Sequence, residues 1–242
     1  MHCPKCAWEQ GDGRVECARC GIIFSKFVAS PRRAAATIHH LPVQEPIWLT
    51  LAKGWLLTVE ASVNPFYFAG RMLVFVVLAF WAWKFITTPL DTNYTGESFL
   101  HLVNLPFHEA GHLLFMPFGR FMTILGGSLA QILMPFVCLV TFVWKTRDPF
   151  GASVALWWMA ENFMDVAPYI NDARAMELIL LGGFTGQEVD AHDWNNFLSM
   201  LGWLQYDHRL AKLAYGIGTV GMLLALLWGG ILLLRQCRRL DW

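Results

Sequence analysis

The chain has 242 residues, of which 56% are hydrophobic and 15% charged, against roughly a quarter charged in an average soluble domain. An uncharged run of 22 residues from Leu213 to Leu234 is long enough to cross a hydrocarbon core of about 30 Å, which argues against a soluble globule. Lys+Arg and Asp+Glu are equal in number, so the net charge of zero leaves no electrostatic footprint for nucleic acid.

Residues 1–27 are polar and too short to build a hydrophobic core, so they need a staple. Cys3, Cys6, Cys17 and Cys20 supply it: two CxxC pairs separated by ten residues aim four thiolates at one tetrahedral ion, the set that Zn2+ accepts. Gly21 and the apolar Ile22, Ile23 and Phe24 resemble the second knuckle of a zinc ribbon. The balance of Lys5, Arg14 and Arg19 against Glu9, Asp12 and Glu16 makes a poor phosphate surface, so the expected partner of this ribbon is a cytosolic protein. Paired cysteines also favour a reducing compartment, and the N-terminus is expected in the cytosol.

Residues 28–46, with Pro31, Arg32, Arg33, Pro42 and Pro46, read as a linker. From 47 to 242 the pattern is that of a helical membrane domain. Ile47 to Asn64 suggests a helix lying in the membrane interface, or one packed on the bundle. Apolar segments follow at 71–86, 99–118, 121–144, 150–170 and 213–234. The expected fold is therefore an all-α integral membrane protein of about five or six membrane helices. Positive charge at both ends prefers the cytosol, which five simple crossings cannot satisfy; a re-entrant segment or a sixth short span is needed.

His108-Glu109-Ala110-Gly111-His112 interrupts one apolar segment. Positions i and i+4 share a helix face, so His108 and His112 can present two imidazoles to one Zn2+, with Glu109 beside it as general base. Isolated charges at a bilayer centre cost about 2.5 to 3.5 kcal/mol each, which favours a functional reason for this cluster. A third ligand is required. Asp165 is the first candidate, because Glu161, Asp165 and Asp172 fall within about 20° of one another around a helix axis. Asp172 is an alternative, as is His192 with Asp193 as its orienting carboxylate; Asp193 can instead cap a helix starting near Trp194. Gln131, Asn104 and Asn162 suit helix packing, and His101 and His208 lack partner spacing.

HEAGH in one span, Gly126-Gly127 in the next and Asn162-x-x-Asp165 in the third resemble the core of the site-2 protease (M50-type) class of intramembrane zinc metallopeptidases. The likeness covers roughly residues 99–172, with Val166 where the family has Gly after the Asp. It implies hydrolysis of a peptide bond near or within the bilayer, Asp165 as third ligand, a membrane-protein or peptide substrate, and one catalytic zinc besides the structural one. A bacterial inner membrane is the expected location. Two other classes stand beside it: an inactive metal-binding membrane scaffold whose ribbon recruits a partner, and a di-iron oxidase, which would need a second ExxH that the sequence lacks.

Overall fold

The protein is described by a computed structural model covering residues 1–27, 46–189 and 191–240. The linker, apart from Pro46, lies outside the described residues. Two compact units divide the chain, Met1–Glu45 and Pro46–Trp242.

The first unit is two similar knuckles. In each, a backbone N–H four residues on returns to the leading cysteine (Ala7 N–H to Cys3 C=O and Gly21 N–H to Cys17 C=O, both 2.9 Å). Ala7 and Gly21 both take positive φ, 56° and 69°. Bridges between His2 and Glu9 and between Glu16 and Ile23 stand where a ribbon would carry strands, and the described residues contain no longer β-structure. The N-terminal ammonium donates to Asp12 Oδ1 (2.7 Å) and to the Gln10 carbonyl (2.8 Å).

The second unit is helical: α1 (Ile47–Leu56), α2 (Pro65–Thr87), α3 (Phe99–Phe115), α4 (Arg120–Thr141), α5 (Pro149–Asn171), α6 (Gly186–Val189), α7 (Asp193–Leu201) and α8 (Asp207–Cys237). Each of the five long apolar segments of the sequence lies largely on a helix. Three stretches are long and apolar enough to cross a membrane: Pro65–Thr87, Arg120–Thr146 and Leu204–Cys237. This makes the chain an all-helical membrane protein with a four-cysteine cluster at its N-terminus.

Local chemistry sets the helix ends. Asn64 accepts from Phe66 N–H at the start of α2, with Pro65 at the first helical position, and Ser98 accepts from His101 N–H at the start of α3, the expected N-cap arrangement. The stretch after α1 is held by the far end of α8. Arg235 and Arg239 donate to the carbonyls of Leu57 and Val59 (2.8 and 2.9 Å), and Val63 N–H reaches Arg239 C=O.

Helix α5 is the hub, packed against α8, α4 and α2. Trp157, Ala160 and Met164 on α5 join Ala82 and Phe85 of α2 and Met222 and Ala225 of α8 in the main core. Pro168 leaves α5 continuous to Asn171. A proline has no N–H to give the carbonyl four residues back; the Thr95 hydroxyl supplies that donor to Met164 C=O at 3.1 Å.

Between α3 and α4 the backbones touch. A Cβ on Gly111 would collide with Gly126 C=O, and one on Gly126 would lie 2.7 Å from Gly111 C=O. Close approach of this kind is the usual use of small residues between membrane helices. It brings the HEAGH face of α3 against Gly127 and Gln131 of α4.

Candidate metal centres

The four cysteines of the first unit converge. Cys3 Sγ lies 3.6 Å from Cys20 Sγ, and Cys6 Sγ 3.7 Å from Cys17 Sγ. Thiolates about 2.3 Å from a tetrahedral zinc would stand about 3.8 Å apart, so the donor set and its spacing fit such an ion. The Cys20 backbone N–H lowers the Cys17 thiol to about 6, while burial pushes the neighbouring Cys20 thiol up to about 12.

The second group is His108, His112 and Asp193. Asp193 Oδ2 is 3.3 Å from His108 Nε2 and 3.2 Å from His112 Nε2. Ligands about 2.0 to 2.1 Å from a tetrahedral zinc lie about 3.3 Å apart, so this spacing also fits.

Hydrogen bonding behind the imidazoles points both Nε2 lone pairs at the centre. His112 Nδ1 faces the Thr123 carbonyl at 2.8 Å, which can only accept, so Nδ1 carries the proton. Gln131 Nε2 donates to Asp165 Oδ2 (3.2 Å), which leaves its Oε1 to accept from His108 Nδ1 (2.7 Å). Fixing a ligand's tautomer through its other nitrogen is the common arrangement at metal sites. Gly127 completes the cradle: a Cβ there would sit 2.5 Å from His108 Nε2 and 2.6 Å from His112 Nε2.

The carboxylate beside the two imidazoles is thus Asp193, not Asp165. Asp165 is buried one step behind, accepting from Gln131, from Asn104 Nδ2 (3.1 Å) and, through its other oxygen, pairing with His101 Nδ1 (2.9 Å). Asn104 Nδ2 also donates to Glu161 Oε2 (2.9 Å), and Trp158 Nε1 fixes the Asn104 amide by donating to its oxygen. The acidic face of α5 and the polar residues of α3 and α4 therefore form one network ending on His108.

The pair 192–193 exchanges the roles expected of it. His192 is the N-cap, its Nδ1 accepting from Asn195 N–H, and Asp193 opens α7 and turns into the site. Asp172 accepts from the N–H groups of Glu177 and Leu178 and lies 3.4 Å from His192 Nε2. It fastens the segment that carries Asp193 and takes no place among the three donors. Trp194 Nε1 donating to Ser128 Oγ and Asn195 Nδ2 donating to Ala173 C=O pin α7 to α4 and to the end of α5.

These groups open on a cavity of about 350 Å³. Glu109, exposed on the same helix as the two histidines, lines it together with Tyr169 and His101. Leu105, Val166, Ile179 and Leu181 give it an apolar side. Tyr169 ties the site together: its hydroxyl accepts from Asp193 N–H (3.0 Å), and its ring lies 4.2 Å from that of His192 and 6.4 Å from that of His108. Neither Tyr169 nor the His101–Asp165 pair has a spacing signature in the sequence. The signal for Asp193 was the His-Asp pair at the head of a short amphipathic piece.

The chain matches no protein-family model, no curated protein and no solved structure.

Proposed function

We propose that this chain is an integral-membrane zinc metallopeptidase that hydrolyses a peptide bond near or within the bilayer. The observation that carries the reading is the trio of His108, His112 and Asp193 at zinc-like spacing, open to a cavity that Glu109 lines. Three protein donors leave a fourth position for water or substrate, the mark of a catalytic rather than a structural zinc site. When bound, zinc supplies the Lewis acidity that polarises a carbonyl and acidifies water.

The chain's own residues do the rest. Glu109, next to His108 and exposed to the cavity, accepts the proton of the attacking water and returns it to the leaving amine. Gln131 and Thr123 C=O hold the two imidazoles in the neutral tautomer that ligates. The apolar side of the cavity takes substrate side chains, and the polar side keeps the site hydrated.

We further propose that α2 to α5 and α8 lie in a bacterial inner membrane with the N-terminal unit in the cytosol, one of these helices being re-entrant: Arg235 and Arg239 at the end of α8 hold the stretch before α2, which supports an even number of crossings. The reduced thiols of a four-cysteine zinc site suit that compartment. Trp8 is half exposed beneath Arg19, whose guanidinium carbon lies 4.8 Å from the ring centroid, a surface suited to a protein partner.

Glu109→Gln is the test. Gln keeps the volume and a hydrogen bond to water but accepts no proton, so zinc content should stay at the wild-type level while proteolysis falls about 100- to 10,000-fold. The measurement compares membrane proteins that accumulate uncut in cells carrying the variant with those in wild-type cells, alongside metal analysis of the purified protein. A variant indistinguishable from wild type in processing would favour the scaffold reading.

A further inference from the structure

Tyr169 is held in the cavity in a way that assigns the two halves of its hydroxyl separate tasks. The oxygen accepts from the backbone N–H of Asp193, 3.0 Å away, the residue whose Oδ2 stands 3.2 to 3.3 Å from both imidazole nitrogens. The hydroxyl proton meets no acceptor among the described residues, and the side chain lines the same cavity as Glu109, His108 and His112. The ring cannot swing away, because it is packed on His192 and lies beside His108. A hydroxyl that already accepts a hydrogen bond is polarised toward donating one. What the cavity offers next to the ligand trio is therefore a single, preset O–H donor.

We propose that Tyr169 is a further catalytic residue, donating a hydrogen bond to the oxyanion that develops on the scissile carbonyl; the proposal rests on the metallopeptidase reading above. As the water oxygen bonds to the carbonyl carbon, the carbonyl π pair moves onto its oxygen and water's proton passes to Glu109. Tyr169 stabilises that negative oxygen and keeps its own proton. When the C–N bond breaks, the pair returns to restore C=O, and the proton on Glu109 goes to the leaving nitrogen. A fixed donor placed where charge develops favours the transition state over the ground state.

Tyr169→Phe keeps the ring and its packing and removes only the hydroxyl. Two probes separate the roles in the full-length, zinc-loaded protein. A phosphinic phenylalanyl-leucine analogue, with PO2–CH2 in place of the peptide bond, presents a tetrahedral oxyanion. A mercaptoacetyl dipeptide of the same side chains binds metal through sulfur and presents none. The phosphinate should lose about 100- to 1,000-fold in affinity on Tyr169→Phe, the thiol should change less than about threefold, and zinc content should not change. Equal phosphinate affinity in both proteins would overturn the assignment. Loss of zinc, or parallel loss of both probes, would also overturn it, making the hydroxyl a positioning group for Asp193. If the wild-type protein bound zinc but neither probe, the metallopeptidase reading would fall first and this inference with it.

Discussion

His192 and Asp193 are adjacent, and which of them enters the site is decided by the helix start. Aspartate is the stronger capping residue by propensity, but here an imidazole nitrogen takes the Asn195 N–H and the carboxylate turns to the two histidines. On the proposed function, Asp193→Ala should abolish zinc binding in the second unit, because it removes one of the three donors. Gln131→Ala and Asp165→Ala should weaken it only about 10- to 100-fold, the usual cost of losing a group that orients a ligating histidine. Competition against a zinc chelator, with the four-cysteine site as internal reference, measures that order; an Asp165 variant more impaired than the Asp193 variant would return the ligand role to Asp165. Half of the site was legible in sequence, since His108, Glu109 and His112 are set by i, i+4 geometry within one helix. The other half was not, because Asp193 arrives after three further helices and an irregular stretch, and no local period links residue 193 to residue 108. Asp165 stands out in the sequence on the acidic face of α5, but its carboxylate reaches His108 only through the Gln131 amide.

At the level of elements, the helices themselves were readable, because all five long apolar segments are helical and two of them, α2 and α3, start on side-chain caps. Their packing was not, since hydropathy does not say which faces meet. The α3–α4 contact shows what decides it: Gly111 and Gly126 leave no room for a side chain on either backbone. Helix α3 carries His108 and His112, and α4 carries Gly127, Gln131 and Thr123, so this contact also sets the distance between ligands and the groups behind them. Gly111→Leu should therefore cost more than the about 1 to 3 kcal/mol of an ordinary overpacked site. It should also lower zinc occupancy of the second unit, although residue 111 is no ligand. Thermal unfolding in detergent and metal analysis check both effects. Leu113→Ala is the control, because that side chain is 71% exposed on the same helix; it should leave zinc content unchanged.

For the whole molecule, the two units stabilise themselves by different means, and this yields a separable prediction. The first unit buries Cys3 and Cys17 but assembles no apolar cluster of its own among the described residues, so its fold depends on the ion, as in small metal domains where binding and folding are one process. The second unit has apolar clusters spaced along α5, formed without any metal donor. Two zinc ions per chain are expected. Replacing all four cysteines with Ser should remove one ion and unfold only the N-terminal unit, seen as loss of its dispersed amide signals, while the other ion and the detergent melting temperature stay as in wild type. His108→Ala should do the converse, keeping the N-terminal unit folded and its zinc bound. Lowering the pH should release the first ion as the thiolates reprotonate, since cysteine ligands bind metal only when deprotonated. A wild-type stoichiometry of one, unaffected by His108→Ala, would remove the second site and with it the case for hydrolysis.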